Sequence, residues 1–310
     1  MKTSKSEIPS TLLALSNDLA GAVERAGRAV VAVNARHRLP SSGLHWRSGV
    51  IVTADHTVKR DEEITVTLPD GSAVPAALAG RDPSTDLAVL KLKNAKLPTA
   101  EIDDASLLKV GHLVLALGRP GERGLSATMG TVSALSGAWH TWSGGLIDQF
   151  VHVDIALYPG FSGGPLVDAQ GLVVGVNTAG PRGMVLVIPA STVDRVVDQL
   201  LKKGRIARGY LGLGMQPVHL PEGLKSALSL TADEGVIVVN VVPYGPAEKA
   251  GALIGDVLVA MDGKSLRDMD DVQAFLDPEH VGKTVSVNVV RGGALVRLAI
   301  TVGERPRREE

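Results

Sequence analysis

Short runs of Val, Ile and Leu, separated by turn residues, recur along most of this 310-residue chain. Residues 30–33 and 50–52 form two such runs, and Arg47-Ser48-Gly49 just before the second is a compact hairpin signal. The chain holds 35 Gly and only 3% aromatic residues. Many turns and β-branched runs are typical of a mainly β protein and argue against a helical bundle.

Length, charge and cysteine content exclude several classes of protein. The chain is long enough for two or three domains, and 45% hydrophobic residues allow sizeable cores. With 32 basic and 33 acidic residues, no net field would attract nucleic acid or an acidic membrane, so we expect neither partner. The chain has no Cys, which excludes disulfides and a thiol nucleophile.

The N-terminal sequence bears on the compartment. No apolar run approaches the ~20 residues that a membrane helix needs. The first residues do not form a signal-peptide pattern. We therefore expect a cytoplasmic protein, and a periplasmic or other extracytoplasmic location is the alternative if the N-terminus has been trimmed.

The segment Gly160-Phe161-Ser162-Gly163-Gly164-Pro165 carries the clearest chemical signal. Glycine lacks the Cβ that forbids tight turns, so such a loop can aim backbone N–H groups at a developing oxyanion. The N–H groups of Gly160 and Ser162 would form this oxyanion hole. A plain glycine-rich turn between two strands is the alternative for the motif taken alone.

Two further residues complete a candidate catalytic triad. His56 follows the apolar run 50–52, Asp86 stands where another strand begins, and Ser162 comes last. His, Asp, Ser is the chain order of chymotrypsin-like proteases and not of α/β-hydrolases or subtilisins. Ser162 would attack a carbonyl carbon, His56 would take and return the proton, and Asp86 would orient the imidazole and stabilise its cation.

This constellation resembles the HtrA/Deg family of serine proteases, and the resemblance runs through most of the chain. Further segments similar to family signatures are Ser42-Gly43, residues 64–68, Gly80-Arg81-Asp82-Pro83, residues 85–90 and Gly175-Val176-Asn177-Thr178. The resemblance implies a mainly β fold, a chymotrypsin-like double β-barrel followed by a PDZ domain. It also implies a serine endopeptidase that acts on unfolded or damaged polypeptides without a cofactor or a metal.

The same resemblance gives a division of the chain into domains. It comprises an N-terminal helical segment (1–27), the protease domain (28–190), a connector helix (191–208), the PDZ domain (209–303) and a tail (304–310). We expect the first barrel over residues 29–117, carrying His56 and Asp86, and the second over residues 118–188, carrying Ser162. The active site would then lie in the cleft between the barrels.

A peptide-binding loop is expected near the start of the PDZ domain. In such domains a Tyr/Phe-Leu-Gly-type loop presents N–H groups to a peptide carboxylate, and the peptide adds as a strand. Tyr210-Leu211-Gly212-Leu213 resembles this loop, and Val272 and Leu276, on a helix predicted near residues 270–276, are expected to line the groove. C-terminal peptides are the expected partner, and a purely structural turn is the alternative.

Three departures from the family pattern leave the specificity open. Phe161 stands before the nucleophile in place of the usual Asn, and its ring could enter the core or crowd the cleft. Val185, followed by Leu186, replaces a glycine that would line the specificity pocket, whose base by position is Ala156. The segment 179–183 is short for a loop that shapes this pocket. We expect cleavage after small aliphatic residues.

Two helices and one loop are predicted around the barrels. Residues 9–26 have Leu12, Leu15, Leu19 and Val23 on one stripe, which favours either a homotrimer, as in the family, or packing on the chain's own barrel. A second helix would begin at Ser191 with a capping box to Asp194 and end at Gly204. Residues 135–146 correspond to a regulatory loop in the family, with an ordinary exposed loop as the alternative.

A second function class stays open beside the protease. A non-proteolytic chaperone or peptide-binding scaffold with an inert or closed protease domain is supported by the departures near the pocket and opposed by the complete triad. Among the other polar residues, Asp55 is expected to be a solvated loop residue. The remaining histidines show no metal-ligand spacing.

Overall fold

The structure, a computed structural model, describes residues 11–93, 96–121, 124–141, 143–180 and 184–306. The chain divides into two compact units, residues 1–206 and 207–310. The expected mainly β architecture is confirmed, because the first unit contains two closed barrels and the second a six-stranded sheet.

The first barrel is antiparallel throughout. Its strands are β1 (Val30–Asn34), β2 (Ser41–Arg47), β3 (Val50–Ala54), β4 (Ile64–Thr67), β5 (Ala73–Asp82) and β6 (Leu87–Leu92). They close in the order β1-β2-β3-β6-β5-β4. The predicted β2–β3 hairpin turns at Gly49, where φ is 70° and a Cβ would be unfavourable. Val31, Ile51 and Leu90 are fully buried in the core of this barrel.

The second barrel follows directly. Its strands are β7 (Leu113–Gly118), β8 (Ser126–Ser136), β11 (Phe150–Asp154), β12 (Pro165–Asp168), β13 (Val173–Ala179) and β14 (Val185–Pro189), with a small hairpin of β9 (Trp139–His140) and β10 (Leu146–Ile147). They close in the order β11-β14-β13-β12-β7-β8. The expected boundary between the barrels is wrong by one strand, because β7 pairs with β8 and β12 rather than with the first barrel.

Two helices of the first unit join an apolar cluster that both barrels share. They are α1 (Thr11–Gly27) and α2 (Ala190–Lys203). Members of the cluster from helices and barrels include Ala22, Trp46, Leu117, Val196 and Leu200. Leu19 and Val23 of α1 pack against it, whereas Leu12, Leu13 and Leu15 are exposed. The C-terminal half of α1 therefore packs on the barrels of its own chain.

The ends of α2 show one wrong and one confirmed prediction. Pro189 occupies the N-cap without a side-chain hydrogen bond, so the capping box from Ser191 to Asp194 does not form. Asp194 instead accepts hydrogen bonds from Trp46 Nε1 at 2.8 Å and from Arg47 at 2.5 Å. These contacts outside the helix compete successfully for the carboxylate. At the other end Gly204 adopts φ 70° and its N–H caps the Leu200 carbonyl.

The second unit is built on a sheet of order β16-β17-β18-β20-β21, with β19 beside β18. Its strands are β15 (Gly209–Tyr210), β16 (Leu213–His219), β17 (Glu234–Val241), β18 (Val257–Met261), β19 (Lys264–Ser265), β20 (Thr284–Arg291), β21 (Ala294–Thr301) and β22 (Gly303–Glu304). Its helices are α3 (Glu222–Leu228), α4 (Pro246–Lys249) and α5 (Met269–Gln273), the last continued by a 3₁₀ turn, Ala274–Leu276. Across the described ranges of both units, no helix combines the length and apolarity required to cross a membrane.

Candidate active site

The nucleophile loop lies between β11 and β12, and its glycines are required by close backbone packing. Ser162 is only 9% exposed. Gly163 has φ 87°, and a Cβ on it would lie 2.3 Å from the carbonyl oxygen of Ser42. Any other residue at Gly163 would clash with the backbone, so the serine is presented by a turn that only glycine can make.

The two candidate oxyanion-hole donors have no hydrogen-bond partner among the residues that the structure describes. Within the described part of the chain, the backbone N–H groups of Gly160 and Ser162 donate no hydrogen bond. Gly160 has φ 91°, a conformation that favours glycine. The next peptide group is fixed, because the Phe161 N–H donates to the Tyr158 carbonyl at 3.0 Å. Unpaired N–H groups beside a serine hydroxyl suit an oxyanion hole.

His56 and Asp86 are brought together by β3 and by the turn before β6. The Nδ1 of His56 lies 2.7 Å from Oδ2 of Asp86, and the His56 backbone N–H donates to Oδ1 at 2.8 Å. Asp86 has φ 56°, in the left-handed region that aspartate tolerates better than most residues. This conformation turns its carboxylate onto both the ring and the backbone of the histidine, which fixes the orientation of the imidazole.

Thr178 is a contact of the triad that sequence reasoning missed. Its hydroxyl on β13 donates a short hydrogen bond to Oδ2 of Asp86, the oxygen that also faces His56. Thr178 stands in a segment that resembles a family signature, which was the only signal for it. The hydroxyl therefore helps to hold in place the carboxylate that orients His56.

The serine of the triad is not hydrogen-bonded to the histidine among the residues that the structure describes. Among the described residues, no hydrogen bond joins the Ser162 hydroxyl to His56. The His56 side chain is 41% exposed and that of Asp86 is 25% exposed. The histidine side chain is therefore accessible from solvent.

Asp55 is not the solvated loop residue that we expected. It is 6% exposed, and its Oδ1 accepts a hydrogen bond from Arg81 Nε at 2.6 Å. Burial raises the pKa of Asp55, the Arg81 guanidinium opposes that rise, and the charge of Asp86 adds to it. Arg81 also donates to the Val58 carbonyl at 2.9 Å, so the pair braces the 3₁₀ helix Asp55–Thr57 that carries His56.

Phe161 enters the core of the second barrel rather than the cleft. It is 1% exposed and packs edge-to-face on Tyr158, with ring centroids 5.8 Å apart. A Cβ on Gly118 would lie 2.7 Å from the Phe161 ring. The ring thus holds the nucleophile loop against the barrel.

The residues expected to shape the specificity pocket differ in their burial, and their role in specificity stays a prediction. Val185 is 4% exposed and belongs to the same core cluster as Phe161. Leu186, on the opposite face of β14, is half-buried, and Ala156 is exposed, with its carbonyl accepting from Thr128 Oγ1 at 2.9 Å. Residues 181–183 of the short loop lie outside the described residues.

The loop after β8 contacts the turn that carries Asp86. The Thr141 hydroxyl donates to the Ser84 carbonyl at 2.6 Å, and a Cβ on Gly145 would lie 2.3 Å from the same oxygen. This part of residues 135–146 therefore packs against the turn between β5 and β6 and is not a freely exposed loop. Trp142 lies outside the described residues.

The peptide-binding loop expected in the second unit has two unpaired donors. Within the described residues, the N–H groups of Leu211 and Gly212 donate no hydrogen bond. Tyr210 and Leu213 are half-buried. Val272 and Leu276, expected to line the groove, are buried in the core cluster of this unit, and their part in peptide binding stays a prediction.

Comparison with known proteins follows the same division. A family described as a trypsin-like peptidase domain matches residues 41–176, and a PDZ domain family matches residues 209–302. A solved structure of the HtrA-type protease AlgW with a decapeptide is 30% identical, covers 93% of this chain and 99% of that chain, and superposes with a TM-score of 0.74. The chain belongs to the HtrA family of serine proteases.

Further proteins similar to this chain are named serine endoproteases. The serine endoprotease from Yersinia pestis is 30% identical, covers 97% of this chain and 100% of that chain, and has a TM-score of 0.75. A probable periplasmic serine endoprotease DegP-like of Chlamydia pneumoniae is 35% identical over 84% of this chain and 54% of that protein. Its counterpart in Brucella suis is 36% identical over 83% of this chain and 51% of that protein. The chain thus spans about half the length of the curated relatives it matches.

These relatives overturn one expectation from the sequence. The cytoplasmic location is wrong, because the curated relatives are named periplasmic endoproteases.

The described residues include no group of three His, Cys, Asp or Glu side chains that could hold a metal ion.

Proposed function

We propose that this protein is a serine endopeptidase that hydrolyses peptide bonds through Ser162, His56 and Asp86. The observation that carries the proposal is the 2.7 Å contact from His56 Nδ1 to Asp86 beside a serine loop with two unpaired N–H groups. A histidine held by a carboxylate is a general base, and unpaired backbone donors stabilise a developing oxyanion.

The steps follow from these positions. His56 Nε2 takes the proton of Ser162 as its oxygen attacks the scissile carbonyl carbon. The N–H groups of Gly160 and Ser162 bind the oxyanion of the tetrahedral intermediate. His56 then protonates the leaving amine, and water completes the reverse sequence to release the acyl group. Asp86, held by Thr178, stabilises the imidazolium that forms between these steps.

The substrates proposed are unfolded or damaged polypeptides in the periplasm. The names of the relatives support the compartment. The HtrA-type protease AlgW, solved with a decapeptide, supports peptide binding. We further propose that the loop of residues 210–213 binds C-terminal peptides. The exposed Leu12, Leu13 and Leu15 of α1 support assembly of this chain as a homotrimer.

One observation favours a second candidate, a non-proteolytic peptide-binding scaffold. Among the described residues, Ser162 and His56 share no hydrogen bond. Catalytic hydrogen bonds are often loose in unliganded proteases and tighten when substrate binds. The first candidate accounts for the remaining features of the site, including the buried supports of Asp86 and His56, which a scaffold would not require.

Fluorophosphonate labelling and casein digestion distinguish the two candidates. Wild type should be labelled at Ser162 and should digest casein. Ser162→Ala and His56→Ala should each lower turnover on the order of a million-fold, because the triad acts as one unit. Circular dichroism would confirm that both variants fold. Proteolysis by folded Ser162→Ala at the wild-type rate, or no labelling of wild type, would replace the protease by the scaffold.

A further inference from the structure

Ser42 is a fully buried polar residue that the proposed mechanism does not use. It lies near the start of β2 in the first barrel, with no exposed surface. Its polar atoms contact the nucleophile loop, the backbone of Arg119 and β3. Its backbone N–H donates to the Ser162 carbonyl at 3.2 Å, and its hydroxyl donates to the Gly160 carbonyl at 2.7 Å.

The direction of the hydroxyl hydrogen bond is fixed by its neighbours. The Arg119 backbone N–H, which can only donate, lies 2.8 Å from Ser42 Oγ. The Ser42 oxygen is therefore the acceptor from Arg119, and its own hydrogen is left for the Gly160 carbonyl, which can only accept. Only this orientation of the Ser42 hydroxyl satisfies both the Arg119 N–H and the Gly160 carbonyl.

Ser42 thereby holds the carbonyls of the two residues whose N–H groups are unpaired. Two hydrogen bonds fix the peptide group between Gly160 and Phe161. Its carbonyl oxygen accepts from the Ser42 hydroxyl, and its N–H donates to the Tyr158 carbonyl. The peptide group after Ser162 is pinned by the Ser42 N–H. These contacts fix the peptide groups that follow Gly160 and Ser162, and those groups are the immediate neighbours of the Pro159–Gly160 and Phe161–Ser162 peptide groups that carry the two unpaired N–H groups.

Ser42 is itself tied to the strand that carries the catalytic histidine. Thr53 Oγ1 on β3 donates to the Ser42 carbonyl at 2.7 Å, and Thr53 is also fully buried. β3 ends at Ala54 and leads directly into the 3₁₀ helix with His56. Hydrogen bonds therefore link β3 of the first barrel, the strand that precedes His56, to the nucleophile loop of the second barrel.

We propose that Ser42 is a positioning residue that fixes the oxyanion loop in its donor-presenting conformation. This inference rests on the proposed function, since it assigns Ser42 a part in the same reaction. Ser42 touches no reacting atom, and it acts through the orientation of the peptide groups at Gly160 and Ser162.

The test compares Ser42→Ala with Thr192→Val in the full-length protein. Thr192 is the matched control: it is fully buried in the same unit, and its hydroxyl accepts from the Asp148 N–H at 2.9 Å rather than contacting the nucleophile loop. The measurements are the second-order rate constant and the final stoichiometry of fluorophosphonate labelling, together with kcat and KM for a peptide substrate. A lower rate constant at full stoichiometry indicates that every molecule has a slower active site. A lower stoichiometry indicates that only a fraction of the molecules has an intact site.

For Ser42→Ala we expect full stoichiometry, with a labelling rate constant and a kcat about ten- to a hundredfold below wild type, because misplaced oxyanion donors lose much of their effect. KM should stay within about twofold, and the pH dependence of kcat should keep its midpoint, because His56 and Asp86 are untouched. Thr192→Val should label at the wild-type rate.

Equal labelling rates for the two variants, or reduced stoichiometry at a wild-type rate, would overturn the positioning role while leaving the protease intact. If wild type itself is neither labelled nor active, the proposed function fails instead. Should Ser42→Ala not fold, Ser42→Cys keeps a small side chain with a weaker donor. Its rate constant should also be lowered at full stoichiometry, and a wild-type rate would count against the proposal.

Discussion

At Asp86 a left-handed backbone conformation and two side-chain neighbours act on one carboxylate. One oxygen faces both the His56 ring and the Thr178 hydroxyl, and the other accepts the His56 N–H. A carboxylate that accepts hydrogen bonds on both oxygens is held in one orientation. The imidazole that it orients is therefore ready to accept a proton before any substrate arrives.

Replacing Thr178 by valine should show the value of the hydroxyl. Thr178→Val keeps the shape and removes one donor to Asp86, so we expect kcat to fall on the order of tenfold with a small change in KM. Stability should fall by about 1–2 kcal/mol. The measurements are steady-state kinetics on a peptide substrate and urea unfolding.

Thr192→Val is the matched control for this change. Thr192 is fully buried in the same unit, and its hydroxyl accepts from the Asp148 N–H at 2.9 Å, away from the triad. It should lose similar stability and keep the wild-type kcat. The same kcat for both variants would show that Thr178 supports the fold and not the reaction.

The sequence predicted the three triad residues because each stands in a local pattern of its own. It could not predict their supports. Thr178 lies 92 residues from Asp86 along the chain, and Ser42 lies 118 residues from Gly160. A threonine or serine on a strand has no local feature that reveals a partner so distant, and the burial of Asp55 depends in the same way on Arg81 from another strand.

Among the elements, β14 shows where pattern reading fails. Val185, Leu186 and Val187 are all apolar, so no alternation indicates which face of the strand is inward. The barrel buries Val185 and Val187 and leaves Leu186 half-buried. The β2–β3 hairpin was predictable because its turn requires a positive φ at Gly49, which glycine adopts at low cost.

The edge of the second unit's sheet carries a prediction about peptide binding. β16 pairs only with β17 among the described strands, so its other edge is unpaired and can accept an added strand. The free N–H groups of Leu211 and Gly212 stand just before β16. An apolar peptide with a free C-terminal carboxylate should bind the full-length Ser162→Ala variant with micromolar affinity.

Amidation of the same peptide provides the comparison. It removes the charge that the two N–H groups would bind, so calorimetric titration should show affinity at least about tenfold weaker, or roughly 1.4 kcal/mol. Equal affinity for the free and amidated peptides would mean that this loop does not recognise a carboxylate.

At the scale of the whole molecule, each unit has its own core and its own probes. The three tryptophans of the chain, Trp46, Trp139 and Trp142, all belong to residues 1–206. In the second unit Asp256 has no exposed side-chain surface and accepts two hydrogen bonds from Arg291, each of 2.7 Å. Tryptophan fluorescence therefore follows one unit, while circular dichroism follows both.

Asp256→Asn should destabilise only residues 207–310, by about 2–4 kcal/mol at neutral pH, because Arg291 loses its buried partner. Burial alone would raise the pKa of Asp256, but the hydrogen bonds from Arg291 and the Leu253 N–H, with the Arg291 charge, hold it below its usual 3.8. The stabilisation is thus present above pH 3.8 and is lost as the pH falls through the lowered value.

Urea unfolding at neutral and acidic pH measures this effect. The difference between wild type and Asp256→Asn should shrink as the solution is acidified, and the tryptophan-detected transition should be the same in both proteins. A shift of the tryptophan transition at neutral pH would contradict the assignment of the Asp256–Arg291 pair to a separately stabilised unit.

The attachment of the nucleophile loop to Ser42 and Thr53 also bears on how a new copy of this protein matures. A chain in which the second barrel has closed before the first would carry Ser162 without the residues that hold its loop. Such a half-formed copy would also lack the His56–Asp86 pair of the first barrel, so it would be catalytically inactive. A newly made chain is itself an unfolded polypeptide, and so belongs to the proposed substrate class. Neighbouring chains at the same stage of folding would not digest it, because they are not yet active.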